Sequence, residues 1–171
     1  YLGHTIVEPV PSLFSLILES SPLTNCSGLA VNDVSLKLLT RDKSFTETGR
    51  ILITHKGISG PAVLRLSAFA ARELNQDKYK AKLIINWVSN DYLLITKLFQ
   101  ECRTLAARNT LISYRPFKNL PKRFWLVLLK QAKIDVSLKW SQFSSNMEKN
   151  LLNVLVNSIY KVNGRVPYGE E

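Results

Sequence analysis

Hydrophobic positions change period along this chain. Over residues 30–39 they alternate, with Val34, Leu36 and Leu38 on one side and Asp33, Ser35 and Lys37 on the other. That two-residue period is the signature of a half-buried strand. After a polar stretch at 41–44 an apolar pattern resumes over 50–55, which predicts a hairpin with a polar loop. Residues 80–87, KAKLIINW, read as a further strand, and shorter runs near 14–18 and 158–162 as two more. Pro9 and Pro11 keep the preceding residues in an extended lead-in, because a proline cannot donate to a central ladder. The pattern predicts about five or six strands in all.

Between residues 90 and 156 the period becomes three to four. Asn90 or Asp91 is placed to cap a helix with Leu94, Leu98, Cys102 and Leu105 as its buried stripe. Asn119 and Pro121 open a second, with Phe124, Trp125, Leu128 and Leu129 facing inward. Pro116 makes 109–120 a loop. Ser145 and Glu148 have the S-x-x-E spacing of a capping box ahead of Leu151, Leu152, Val154 and Leu155. Strands, then helices, then a closing strand predict an α+β fold. The expected arrangement is an antiparallel β-barrel-like subdomain, residues 1–89 plus 157–171 with one helix near 61–73, into which a small α-helical bundle, 90–156, is inserted.

The densest local signal is ILITHKGISGPAVLRL, residues 51–66. It reads as a strand turning through Gly57 and Gly60 into a helix with Ser59 as cap and Pro61 in its first turn. Val63, Leu66 and either Phe69 or Ala70 would face inward, with Arg65 and Arg72 outward. Such a corner can aim free backbone N–H groups at an anion or a polar cofactor edge. It can equally be a structural turn that needs glycine for close packing. His55 follows the strand, where it can hydrogen-bond the loop or serve in acid–base work. GISGP is neither G-x-G-x-x-G nor a phosphate loop.

The chain has 171 residues, 46% hydrophobic and 21% charged, the composition of a globular domain rather than a disordered one. No apolar run reaches the roughly 18 residues of a membrane span. The abrupt start at Tyr1 predicts a piece of a longer protein. Cys26 and Cys102 are too far apart for a ligand-pair motif, and His4 and His55, the only histidines, form no metal-binding spacing, so no metal site is expected. There is no G-x-S-x-G elbow. Lysine and arginine outnumber acids by 23 to 13, giving a formal charge of +10. Arg103, Arg108, Arg115, Lys118, Lys122, Arg123, Lys130 and Lys133 lie in a stretch without one acid. They predict a basic face, either solvated or opposed to an acidic partner. Nucleic acid is a further candidate there, with Tyr114, Phe117, Phe124 and Trp125 offered for stacking.

Four motifs, taken in order, carry a resemblance: GHTIVEPVPSL at 3–13, LITHKGISGPAVLRLS at 52–67, LPKRFW at 120–125 and VNGRVPYGEE at 162–171. Together they resemble the BaiN/YhiN-type family of predicted NAD(P)/FAD-dependent flavoproteins, over essentially the whole chain. The resemblance implies the inserted domain of a cytoplasmic FAD-dependent oxidoreductase, helping to shape or cover the substrate side of the flavin site. FAD is then expected in the full-length parent and none is expected to be retained by this chain alone, because the glycine-rich dinucleotide turn is missing. The implied partners are the FAD-binding domain of the same parent chain and a small-molecule substrate, with NAD(P)H a further candidate and no membrane. Thr54, Gly57, Ile58, Ser59 and Gly60 are expected near cofactor or substrate, with His55 the candidate catalytic residue. The alternative is a basic binding module for nucleic acid or an acidic protein; nucleic acid is not among the partners the family implies.

Overall fold

The computed structural model describes residues 3–88 and 91–167. Six antiparallel strands close into a barrel in the order β1-β4-β3-β2-β5-β6. They are β1 (Leu16–Leu18), β2 (Ala30–Leu39), β3 (Ser44–Ile53), β4 (Gly57–Ser59), β5 (Ala81–Asn86) and β6 (Ser158–Arg165). β1 closes the ring by pairing with β4 on one side and β6 on the other. Leu16, Leu18, Val34, Leu36, Leu38, Ile51, Ile53, Ile58, Leu83 and Ile85 point inward and are buried. They are the alternating apolar positions of their strands, so the two-residue period is the filling of the barrel.

The β2–β3 hairpin is longer than its pattern implies. Pairing runs from Ala30↔Leu52 to Leu39↔Ser44, and β3 therefore begins at Ser44 rather than near residue 50. Apart from Phe45, residues 44–49 are polar or glycine, and this half of the strand is only partly covered, so its alternation carries little hydrophobic contrast. A register irregularity between Val31 and Val34 coincides with Asp33 at φ 54°, a bulge that bends the strand.

The expected helix near 61–73 is two helices, α1 (Pro61–Phe69) and α2 (Ala71–Gln76), with a break at Ala70. Val63, Leu66 and Ala70 are buried, whereas Phe69 is 67% exposed, so Ala70 takes the inward position. Between β5 and β6 come α3 (Tyr92–Leu105), α4 (Lys122–Gln131) and α5 (Ser145–Val156). Asp91 caps α3, its carboxylate accepting from the Leu94 amide at 2.9 Å; Asn90, and the boundary expected at 89–90, lie outside the described residues. α3 is rotated from the expected stripe. Ile95, Phe99 and Cys102 are buried, while Leu94 and Leu105 are 51% and 79% exposed. Phe99 decides the phase, because its ring packs among Phe117, Trp140 and Phe143 at centroid distances of 5.4 to 6.2 Å.

On α4, Phe124, Trp125, Leu128 and Leu129 are all fully buried. The indole N–H of Trp125 donates to Leu111 O at 2.8 Å and that of Trp140 to Tyr114 O at 3.0 Å, so two buried rings pin the loop before α4. The cap of α5 is Ser144, whose hydroxyl accepts from the Met147 amide at 3.3 Å, not Ser145. Glu148 is therefore not a capping-box partner. Its carboxylate meets Arg103 of α3 at 2.7 Å and ties the two helices together. Trp87, at the end of β5, stacks edgewise on Phe124 at 4.7 Å and on Tyr160 of β6 at 6.3 Å, joining the barrel and helices in one core.

Candidate functional site

The corner at 51–66 is a hairpin before it is a helix start. β3 ends at Ile53, and the chain reverses over His55 and Lys56. Thr54 donates its amide to Gly57 O at 2.9 Å, and its hydroxyl accepts from the Gly57 amide at 3.1 Å. The side chain thus substitutes for part of the ladder, as threonine does at turns. The strand that follows, β4, was not apparent in the sequence, because three residues ending at Ser59 give no period to read.

Gly57 has an ordinary backbone conformation and is needed for a different reason. A Cβ there would stand 2.2 Å from Leu16 O and 2.8 Å from Leu18 N. Gly60 combines φ 98° with a Cβ position 2.9 Å from Leu52 N. It, and not Ser59, is the N-cap of α1, with no side-chain cap bond. Ser59 faces β1, and its hydroxyl accepts from Ser15 Oγ at 2.6 Å. Both glycines and Ile58, which is fully buried in the barrel, act on the scaffold side of this corner.

Three of the expected residues do come together. Thr54, His55 and Ser59 line a pocket of about 160 Å³ with Ser15, Leu52, Lys56 and Val166. His55 is exposed and, among the described residues, its imidazole has no hydrogen-bond partner, so the expected bond to the loop is not formed. The lining therefore offers hydroxyls, an imidazole and an ammonium against two apolar walls, which suits hydrogen bonding to a polar edge. Ser15, Leu52, Lys56 and Val166 are the members the sequence reading missed. Leu52 carried a signal: between inward Ile51 and Ile53 it must point out of the barrel, and it is 39% exposed. An apolar residue at an outward strand position marks a surface available to be covered.

The pocket also stands where the barrel's first and last strands meet. Val166, just past β6, donates its amide to Ser15 O at 3.0 Å, just before β1. From there the lead-in runs outward with Ile6 90%, Val7 61% and Leu13 60% exposed. It is anchored at Phe14, whose amide donates to Ser67 Oγ of α1 at 2.9 Å.

A family model described as HI0933-like protein barrel and H2TH domain matches residues 10–171. This chain belongs to that family. The HI0933-like domain is a barrel with helices associated with flavoprotein oxidoreductases. Over 77 residues it is 32% identical to the 3-dehydro-bile acid delta(4,6)-reductase of Clostridium scindens (strain ATCC 35704 / DSM 5676 / VPI 13733 / 19). That match spans 45% of this chain and 19% of the reductase, so the HI0933-like domain corresponds to a minor part of that relative's length.

The pocket lined by Thr54, His55 and Ser59 does not fit a whole flavin dinucleotide. Pockets for such ligands run to about 300–1,000 Å³, whereas this one is about 160 Å³ and lacks a glycine-rich turn opening a helix toward a pyrophosphate. Nor do the described residues gather three or more metal-ligating side chains. The thiols are poor nucleophiles. Burial raises the pKa of both, that of Cys102 to about 11, with Arg123 partly offsetting the effect at Cys26. Of the aromatic rings offered for stacking, Phe117, Phe124 and Trp125 are buried and Tyr114 is 40% exposed. No helix of the described residues is long and apolar enough to cross a membrane.

Proposed function

We propose that this chain is the inserted domain of an FAD-dependent oxidoreductase, and that its Ser15–Ser59 pocket faces the flavin-carrying domain and shapes the substrate side of the flavin site. The observation that carries the reading is the junction at Ser15 and Val166. An inserted domain must receive and return the chain at one place, and β1 and β6 are joined there by the Val166–Ser15 hydrogen bond at 3.0 Å. The domain holding the flavin would then lie against the mouth lined by Thr54, His55, Lys56 and Ser59. The exposed Ile6, Val7 and Leu13 supply apolar surface for the same contact.

On this reading FAD is bound outside the barrel, and the redox chemistry belongs to the domain that holds it. The barrel residues contribute polar contacts and exclude water at one wall. His55 is the group able to give or take a proton from a bound small molecule, and the Ser15 and Ser59 hydroxyls are held in place by their mutual bond. The similarity to a reductase favours a reductive reaction on a small-molecule substrate, with NAD(P)H as the source of reducing equivalents. The helical part, within residues 91–156, buttresses the barrel through the Trp87 contacts.

Kinetics of a parent enzyme carrying this domain test the reading. His55→Gln keeps hydrogen-bonding capacity but removes the imidazole that can give and take a proton. It is expected to leave flavin content unchanged and to lower kcat/KM by about a hundredfold if His55 transfers a proton. Ser59→Ala is expected to cost about 1 kcal/mol of stability and to lower kcat/KM by about tenfold. Wild-type kcat/KM in both variants would reduce the corner to scaffold.

A further inference from the structure

A second cavity, past the other end of β1, is assigned no role by the flavoprotein reading. It measures about 420 Å³ and lies between α4 and the 3₁₀ turn Pro22–Cys26. Its walls are Pro22 and Asn25 from the turn and Arg123, Leu126, Val127, Lys130 and Gln131 from α4. The helical spacing explains the arrangement. Residues 123, 126, 127 and 130 recur at steps of three and four, so they share one face, with an apolar centre and a cation at each end. Seven residues at 1.5 Å rise separate the two cations by about 10 Å along the helix.

Among the described residues no acid neutralises the positive charge of this groove. None of its lining residues is acidic. Among the described residues neither Arg123 nor Lys130 forms an ion pair. The Arg123 guanidinium is held toward the turn by donating to Asn25 O, which spends one N–H and leaves others for a ligand. The adjoining groove does contain an acid, Glu19, but its carboxylate faces Lys161 at 3.6 Å. The apolar centre favours a hydrophobic body, and the cations with the Asn25 and Gln131 carboxamides favour an anionic head.

We infer that the groove between α4 and the Pro22–Cys26 turn binds a small organic anion: a flat or elongated apolar body carrying a carboxylate, sulfonate or phosphate. Either cation can meet the head while Leu126, Val127 and Pro22 cover the body. The groove is built of residues distinct from those of the Ser15–Ser59 pocket, so it stands whether or not that pocket serves a flavin site.

The test is a titration of the ¹⁵N-labelled chain with 1-anilinonaphthalene-8-sulfonate, followed by amide shifts, beside the uncharged N-phenyl-1-naphthylamine. Saturable shifts confined to residues 23–26 and 122–131 are expected, with the uncharged compound about tenfold weaker or worse. Lys130→Gln, at an exposed position without an ion-pair partner, should weaken the sulfonate by about tenfold without moving the unfolding midpoint. Arg123→Gln should do the same, and Lys130→Gln remains decisive if loss of the Asn25 contact disturbs the turn. The inference is overturned by no saturation at millimolar probe, by shifts centred elsewhere, by equal binding of the uncharged compound, or by unchanged affinity in Lys130→Gln.

Discussion

A single methyl group at Gly57 would stand 2.2 Å from the Leu16 carbonyl oxygen, where the backbone of β4 presses on that of β1. Neither backbone can yield without opening the β1–β4 pairing, so Gly57→Ala should destabilise the fold by about 3 kcal/mol. Gly28 gives the comparison: it has φ 85° but open space around its Cβ position, and Gly28→Ala should cost only the left-handed strain, about 1 kcal/mol. Urea unfolding of the two variants measures the difference, and equal losses would mean that close approach is not what selects glycine at 57. The sequence marked both Gly57 and Gly60 as special but assigned each the same turn chemistry. Gly60 does need its positive φ. What Gly57 needs is set by β1, about 40 residues earlier in the chain, a distance over which no local pattern speaks.

At the scale of elements, periodicity succeeded where one side of an element is buried and failed where ends or short pieces are concerned. α4 was legible because Phe124, Trp125, Leu128 and Leu129 are all apolar and all buried. α3 was not, since Leu93, Leu94, Ile95, Leu98 and Leu105 allow more than one stripe and only contact with Phe117, Trp140 and Phe143 selects Phe99. Trp125→Ala should lose about 3–5 kcal/mol, from a large buried ring and its bond to Leu111 O. Lys122→Ala, one turn earlier on the exposed side, should lose under about 0.5 kcal/mol. Adjacent serines make a sharper test at α5. Ser144→Ala removes the cap and should cost about 1 kcal/mol, while Ser145→Ala should be near neutral. Thermal midpoints of the pair decide between them, and a larger loss at Ser145 would restore the capping box suggested by its spacing to Glu148.

For the whole molecule, strand count and the barrel-plus-helices plan followed from where the hydrophobic period switches, but closure did not. β1 and β4 have three residues each, too short for a period, yet they complete the ring. The pocket depends on that closure, because Ser15, Ser59 and Val166 meet only once β1 lies between β4 and β6. Thr54, His55 and Ser59 were therefore readable as candidates, while the wall they share was not. The proposed docking of a flavin-carrying domain at this mouth is tested most directly by carbethoxylation of His55, followed by peptide mass spectrometry. His4 and His55 are the only histidines of the chain, so the assignment is unambiguous. His55, exposed in the barrel, should react readily in the separate 171-residue chain and be strongly protected in the parent enzyme, while denatured samples of both react alike. Equal reactivity of His55 in the folded chain and the folded parent would place the flavin domain elsewhere and contradict the proposal.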